Sequence, residues 1–171
     1  MNNNQQRQWN STDPATSFRE YAVFLHETAK NMFLQDGTHA EIVFLIAPDG
    51  TGELIPIAKP MTRDNVSEAL RTKAAAEDIY GLVHISEGWA YFPRTPRDHT
   101  MKQIMCGEMR VSDLNDQDKK EVLVVAMLSR DGESISWIDE IIRGTDAGIS
   151  LGRALMLKDR KFTLGNVFQS P

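Results

Sequence analysis

Lys119-Lys120-Glu121-Val122-Leu123-Val124-Val125-Ala126-Met127-Leu128 is followed by Ser129-Arg130-Asp131-Gly132-Glu133 and then by Ser134-Ile135-Ser136-Trp137-Ile138-Asp139-Glu140-Ile141-Ile142. Two apolar, β-branched runs around an Asp-Gly pair are the strongest short-range hairpin signal a sequence carries, because glycine supplies the positive φ that the turn needs. This hairpin is the scaffold against which the other segments are read.

Upstream of it, Arg94 to Lys120 loses regular periodicity, with Pro93 and Pro96 at its start and Asp113, Asp116 and Asp118 near its end. A loop of that length inside a compact domain is functional or mobile. Before it, Ile79 to Glu87 reads as a strand that runs into the aromatic group Gly88-Trp89-Ala90-Tyr91-Phe92-Pro93. Further upstream, Ile42 to Ala47 is continuously apolar, the pattern of a strand covered on both faces. Pro48 to Gly52 turns the chain, and Glu53 to Lys59 returns as a strand whose Pro56 lacks an amide donor and so belongs at an edge or a bulge. Thr62 to Asn65 opens a helix with Val66, Ala69, Leu70, Ala76 and Tyr80 on its narrow apolar face. An earlier helix starts at Asp13-Pro14, a cap followed by a first-turn proline, and ends at Asp36-Gly37. Phe18, Tyr21, Ala22, Leu25, Ala29, Met32 and Phe33 form its inward face, leaving Val23 and Phe24 outside. After Arg143-Gly144 the chain is dotted with glycine, and Ala154 to Leu157 reads as a strand or a helical turn.

Consecutive hairpins favour antiparallel pairing, and helices segregated from them cover a face of the sheet. The expected fold is therefore a two-layer α+β domain, a mainly antiparallel sheet of about five strands with two helices on one face. Residues 1–12, rich in Asn and Gln with Trp9 as their large apolar group, are expected to form a flexible arm; residues 13–171 form one domain.

Composition narrows the function. The formal net charge of -5 argues against a nucleic-acid partner, which needs concentrated Lys and Arg. Apolar runs are too short to cross a bilayer, and the start Met1-Asn2-Asn3-Asn4 lacks a signal-peptide pattern, so a cytoplasmic protein without a membrane partner is expected. A single cysteine, Cys106, excludes an internal disulfide and a Cys-rich metal site, and is expected to be a buried or half-buried small hydrophobe.

For chemistry, the candidates are His84, Ser86, Glu87 and His99. On a strand His84 and Ser86 share a face and Glu87 takes the other; with Asp98 or His99 they would assemble a His, carboxylate and water metal site. The competing account is a packed, hydrogen-bonded strand histidine. A Ser/His hydrolase on Ser86 and His84 lacks a nucleophile elbow, Asp113, Asp116 and Asp118 lack the spacing of a calcium loop, and Arg94, Arg97, His99, Lys102 and Arg110 lack a glycine-rich cradle for an anion. For binding, Trp89, Tyr91 and Phe92, together with Trp137, Val23 and Phe24, exceed what one small core needs and point to a homodimer or a protein partner. No metal or cofactor is implied, and the reading leans to a protein without enzymatic activity.

Ile85-Ser86-Glu87-Gly88-Trp89 and Asp116 to Val125 followed by Asp131-Gly132 resemble a group of small uncharacterised bacterial and phage-associated proteins with a Ser-Glu-Ala-Trp strand end. The resemblance implies a bacterial or phage setting and supplies no catalytic residue. The element order and His84 are also distantly similar to JAB/MPN-type metal-dependent isopeptidases, in which two histidines stand one residue apart; here Ser86 takes the second place. That similarity implies a small metal-dependent hydrolase with a degenerate site.

Overall fold

The computed structural model describes residues 9–10, 12–58, 63–95, 97–144 and 148–158. Its elements are α1 (Pro14–Asp36), β1 (Ile42–Ile46), β2 (Gly52–Pro56), α2 (Arg63–Ala76), β3 (Gly81–Tyr91), α3 (His99–Cys106), a short 3-10 turn at Val111–Asp113, β4 (Lys119–Ser129), β5 (Ser134–Arg143) and β6 (Ile149–Lys158). The strands form one six-stranded antiparallel sheet in the order β2-β1-β3-β4-β5-β6. An α+β fold on an antiparallel sheet is as expected, with six strands where about five were read.

The hairpin 119–142 is β4 and β5, closed by Ser129 N–H to Glu133 carbonyl at 2.9 Å with Gly132 at φ 87°. The proline-bearing return strand β2 stands at an edge, where Pro56 costs no ladder bond. The uncertain Ala154 to Leu157 segment lies within β6.

α1 begins as its sequence dictates: Asp13 caps it through Thr16 N–H, Pro14 occupies its first turn, and Gly37, at φ 75°, ends it by donating to the Phe33 carbonyl at 2.8 Å. Its inward face is Phe18, Ala22, Leu25, His26, Ala29 and Phe33. His26 therefore lies on the inward face without having been assigned to it, whereas Met32, assigned to this face from spacing, is exposed.

Strand alternation sends side chains of β1 and β3 to both faces. Ile46, Val83 and Ile85 join α1 and Leu123, Val125, Met127, Ile135 and Ile141 in the larger core cluster. Val43, Leu45 and Leu82 join Val66 and Leu70 of α2 in a smaller one with Leu128. The two helices thus pack against opposite faces, which differs from the expected placement of both on one face. The physical reason is the double-sided apolar pattern of β1 itself, which needs cover on each side.

Trp9 pins the chain before α1 to the β1–β2 turn. Its indole N–H donates to the Pro48 carbonyl at 2.8 Å, and its ring lies where a Cβ at Gly50 would stand. The rest of the expected arm, apart from Asn10 and Thr12, lies outside the described residues. Cys106, the last residue of α3, is exposed, contrary to the expectation of burial. No helix of the described residues is long and apolar enough to cross a membrane.

Candidate functional site

The segment from 94 to 120, read as irregular, contains α3. Asp98 organises its start: one carboxylate oxygen accepts from Met101 N–H at 3.0 Å, the other from Arg94 N–H at 3.0 Å and from the Tyr91 hydroxyl at 2.8 Å. These donors, the Met101 amide foremost, hold the Asp98 carboxyl below the ordinary aspartate range. Burial, reinforced by Asp98, pushes the Tyr91 phenol up. Tyr91 is only 8% exposed and Phe92 7%, the latter beneath the Arg153 guanidinium at 4.7 Å. Both are framework residues that anchor the α3 segment and the β6 side of the sheet, not open binding groups.

Trp89 is the exception among the aromatic candidates. It is 60% exposed on the same face as α1, directly across from Glu121. The β1 pairing with β3 stops at Ile85 and the β5 pairing with β4 starts at Val122, so residues 88–91 and 119–121 pair only with each other among the described strands and form a two-stranded tip of the sheet. Lys119 Nζ lies 5.9 Å from the Trp89 ring. Glu121 receives two bonds from Arg143, at 2.6 and 2.9 Å, and Arg143 also donates to the Gly37 carbonyl at 3.0 Å. Hydrogen bonding from Arg143 holds the Glu121 carboxyl below its usual range and raises the Arg143 guanidinium. The tip is an exposed indole rimmed by paired charges. Trp137 is different: it is half-buried and stacks on His26 with ring centroids 5.3 Å apart. Val23 and Phe24 are exposed on the outer side of α1.

The catalytic candidates do not converge. His84 and Ser86 share the α2 face of β3, while Glu87 points to the α1 face and accepts hydrogen bonds from the Thr38 hydroxyl at 3.0 Å and from His39 N–H. His99 is the exposed first residue of α3. His84 Nε2 lies 3.0 Å from Glu41 Oε1, a carboxylate that spacing alone did not suggest because it precedes β1 in another segment. The pair is a satisfied strand histidine on the half-buried part of the sheet. Among the described residues there is no group of three or more His, Cys, Asp or Glu able to hold a metal ion.

A second pair, this one buried, has no signal in local spacing that would join its two members. His26 Nε2 lies 2.6 Å from Asp139 Oδ2, the residues being 8% and 4% exposed. His26 falls four residues after Ala22 on the apolar face, the one signal that would have placed it inward.

No curated protein and no solved structure matches the chain. Residues 4–165 match the model of the family described as bacteriophage lambda protein ea47, and the chain belongs to that phage-associated family.

Proposed function

We propose that the protein acts by association, with another protein or with a second copy of itself, and not by catalysis. Trp89 carries this reading. An indole 60% exposed on the two-stranded tip, beside Lys119 and the Glu121–Arg143 pair, leaves apolar area in water that a partner would bury. Tyr91 and Phe92, grouped with Trp89 from sequence, support the tip from beneath.

The competing reading is a small metal-dependent hydrolase of JAB/MPN-like type with a degenerate site. Its one support is the His84–Glu41 contact at 3.0 Å. Native mass spectrometry of protein purified without chelator separates the two. Association predicts metal-free species, with a complex made through the tip weakened at least about tenfold by Trp89→Ala, as expected for an interface anchor. A stoichiometric metal that His84→Ala removes would replace the association reading with the hydrolase.

A further inference from the structure

The two edges of the sheet are built differently. β2 is five residues long and carries Glu53 and Pro56, features that discourage pairing. β6 is ten residues long, has no proline, and bears Ile149, Leu151, Ala154, Leu155, Met156 and Leu157. Its inner side pairs with β5, and among the described strands none lies on its outer side. Alternate backbone N–H and C=O groups along it therefore face outward. Met156, across from Trp137, is 52% exposed.

We propose that β6 pairs with β6 of a second copy, antiparallel about a two-fold axis, to make one continuous twelve-stranded sheet. This rests on the association reading above, names a second copy as the partner, and adds a surface separate from the Trp89 tip. The occupant follows from the register. A bulge sets Gly152 and Arg153 together opposite Glu140, between the Asp139–Ala154 and Ile141–Leu151 pairs. It reverses the parity of the strand: Ile149 and Leu151 share the α1 face with Ala154, Met156 and Lys158, while Ser150 shares the opposite face with Leu155 and Leu157.

Without a bulge, a ten-residue strand paired end to end with its own copy would set odd against even positions, on opposite faces. With it, the full-length register matches faces: Ile149 meets Lys158, Ser150 meets Leu157, Leu151 meets Met156 and Gly152 meets Leu155. Because Gly152 and Arg153 occupy one position of the ladder, Arg153 also meets Leu155, and Ala154 meets its own copy on the axis. The charges fit as well. Arg153 and Lys158 are the only charged residues of β6, and each faces an apolar residue of the copy. Arg153 is already neutralised within its own chain by Glu140 at 2.9 Å, so the two arginines near the axis do not present bare like charges. The exposed Met156 gains Leu151 of the copy as its neighbour.

The test is the mass of the full chain by light scattering, with variants. The wild type is expected to be a dimer. Ala154→Arg with Met156→Lys, both at exposed positions, adds cations at the axis and should weaken the dimer at least tenfold, with an unchanged circular dichroism spectrum. Leu151→Cys with Met156→Cys, in a Cys106→Ser background, should give a disulfide-linked dimer on oxidation, and serves if the charged variant fails to fold. A monomeric wild type would overturn the pairing and leave the Trp89 tip to bind another protein. A dimer lost in Trp89→Ala but untouched by the β6 variants, and not cross-linked by the cysteine pair, would overturn β6 pairing while sustaining association.

Discussion

Asp139→Ala isolates the least replaceable contact between α1 and the sheet. His26 reaches Asp139 at 2.6 Å, with side chains 10% and 6% exposed, and the Trp137 ring stacked on the imidazole excludes water from one side. The nearest other carboxylate, Glu27, stands 3.7 Å from Nδ1, is largely exposed, and serves the wrong nitrogen. Removing the acceptor therefore strands a buried donor. Such a loss costs about 1–3 kcal/mol for a neutral hydrogen bond and about 3–5 kcal/mol for a buried ion pair. We take about 3 kcal/mol for Asp139→Ala, which for a chain of this size lowers Tm by about 6–12 °C. Denaturant unfolding followed by circular dichroism gives the number. Replacing both partners, His26→Leu with Asp139→Leu, removes the polar groups together and should cost less than the sum of the single variants. A loss below about 1 kcal/mol for Asp139→Ala, or additivity in the double variant, would refute the reasoning, since a buried donor left without its acceptor costs at least that much.

Two further outcomes follow from packing and charge. Gly81→Ala places a Cβ 2.4 Å from Cζ of Phe18, a ring with no exposed surface to retreat into, and should cost about 1–3 kcal/mol in a thermal melt; unchanged stability would mean that Phe18 does not close against this glycine. Glu121 and Glu140 are held below the ordinary glutamate range by hydrogen bonds from Arg143 and Arg153. A lowered folded value means that the unfolded chain takes up protons first, so their stabilisation is present above about pH 4.3 and is lost as pH falls through the folded values. Arg143→Gln and Arg153→Gln should flatten that acid limb, and an acid transition identical to wild type would count against both pairs.

The parts legible in the sequence were those fixed by neighbours in the chain. The β4–β5 hairpin rests on Gly132 and its flanking β-branched residues, and the start of α1 on Asp13 and Pro14. Pro56 marked an edge strand for a purely local reason, its missing N–H. What stayed hidden depends on distant partners. α3 is eight residues long, with Met101 and Ile104 half-buried and no side chain fully buried, too short a stripe to read among its charged and proline-bearing neighbours; Tyr91 and Asp98 fix where it begins. The inward turn of His26 needs Asp139, 113 residues away, and the partner of His84 is Glu41, 43 residues away. Trp89, Tyr91 and Phe92 look alike in sequence, yet the hydroxyl of Tyr91 and the cover of Arg153 bury two of them and leave Trp89 outside. The double-sided run of β1 did carry the information that helices lie on both faces, though consecutive hairpins suggested a single covered face.

The division of the apolar residues between two faces also bears on how the molecule opens. β2 and α2 are held through the smaller cluster, whereas α1 and β3 to β5 share the larger one. Separate clusters of unequal size release in order, the smaller first, as cooperative units below the global transition. β1, β3 and β4 feed side chains to both, Leu82 and Leu128 joining the smaller cluster, and together they are the seam: the β2–α2 end is expected to open first while Val83, Val125 and Phe33 stay packed.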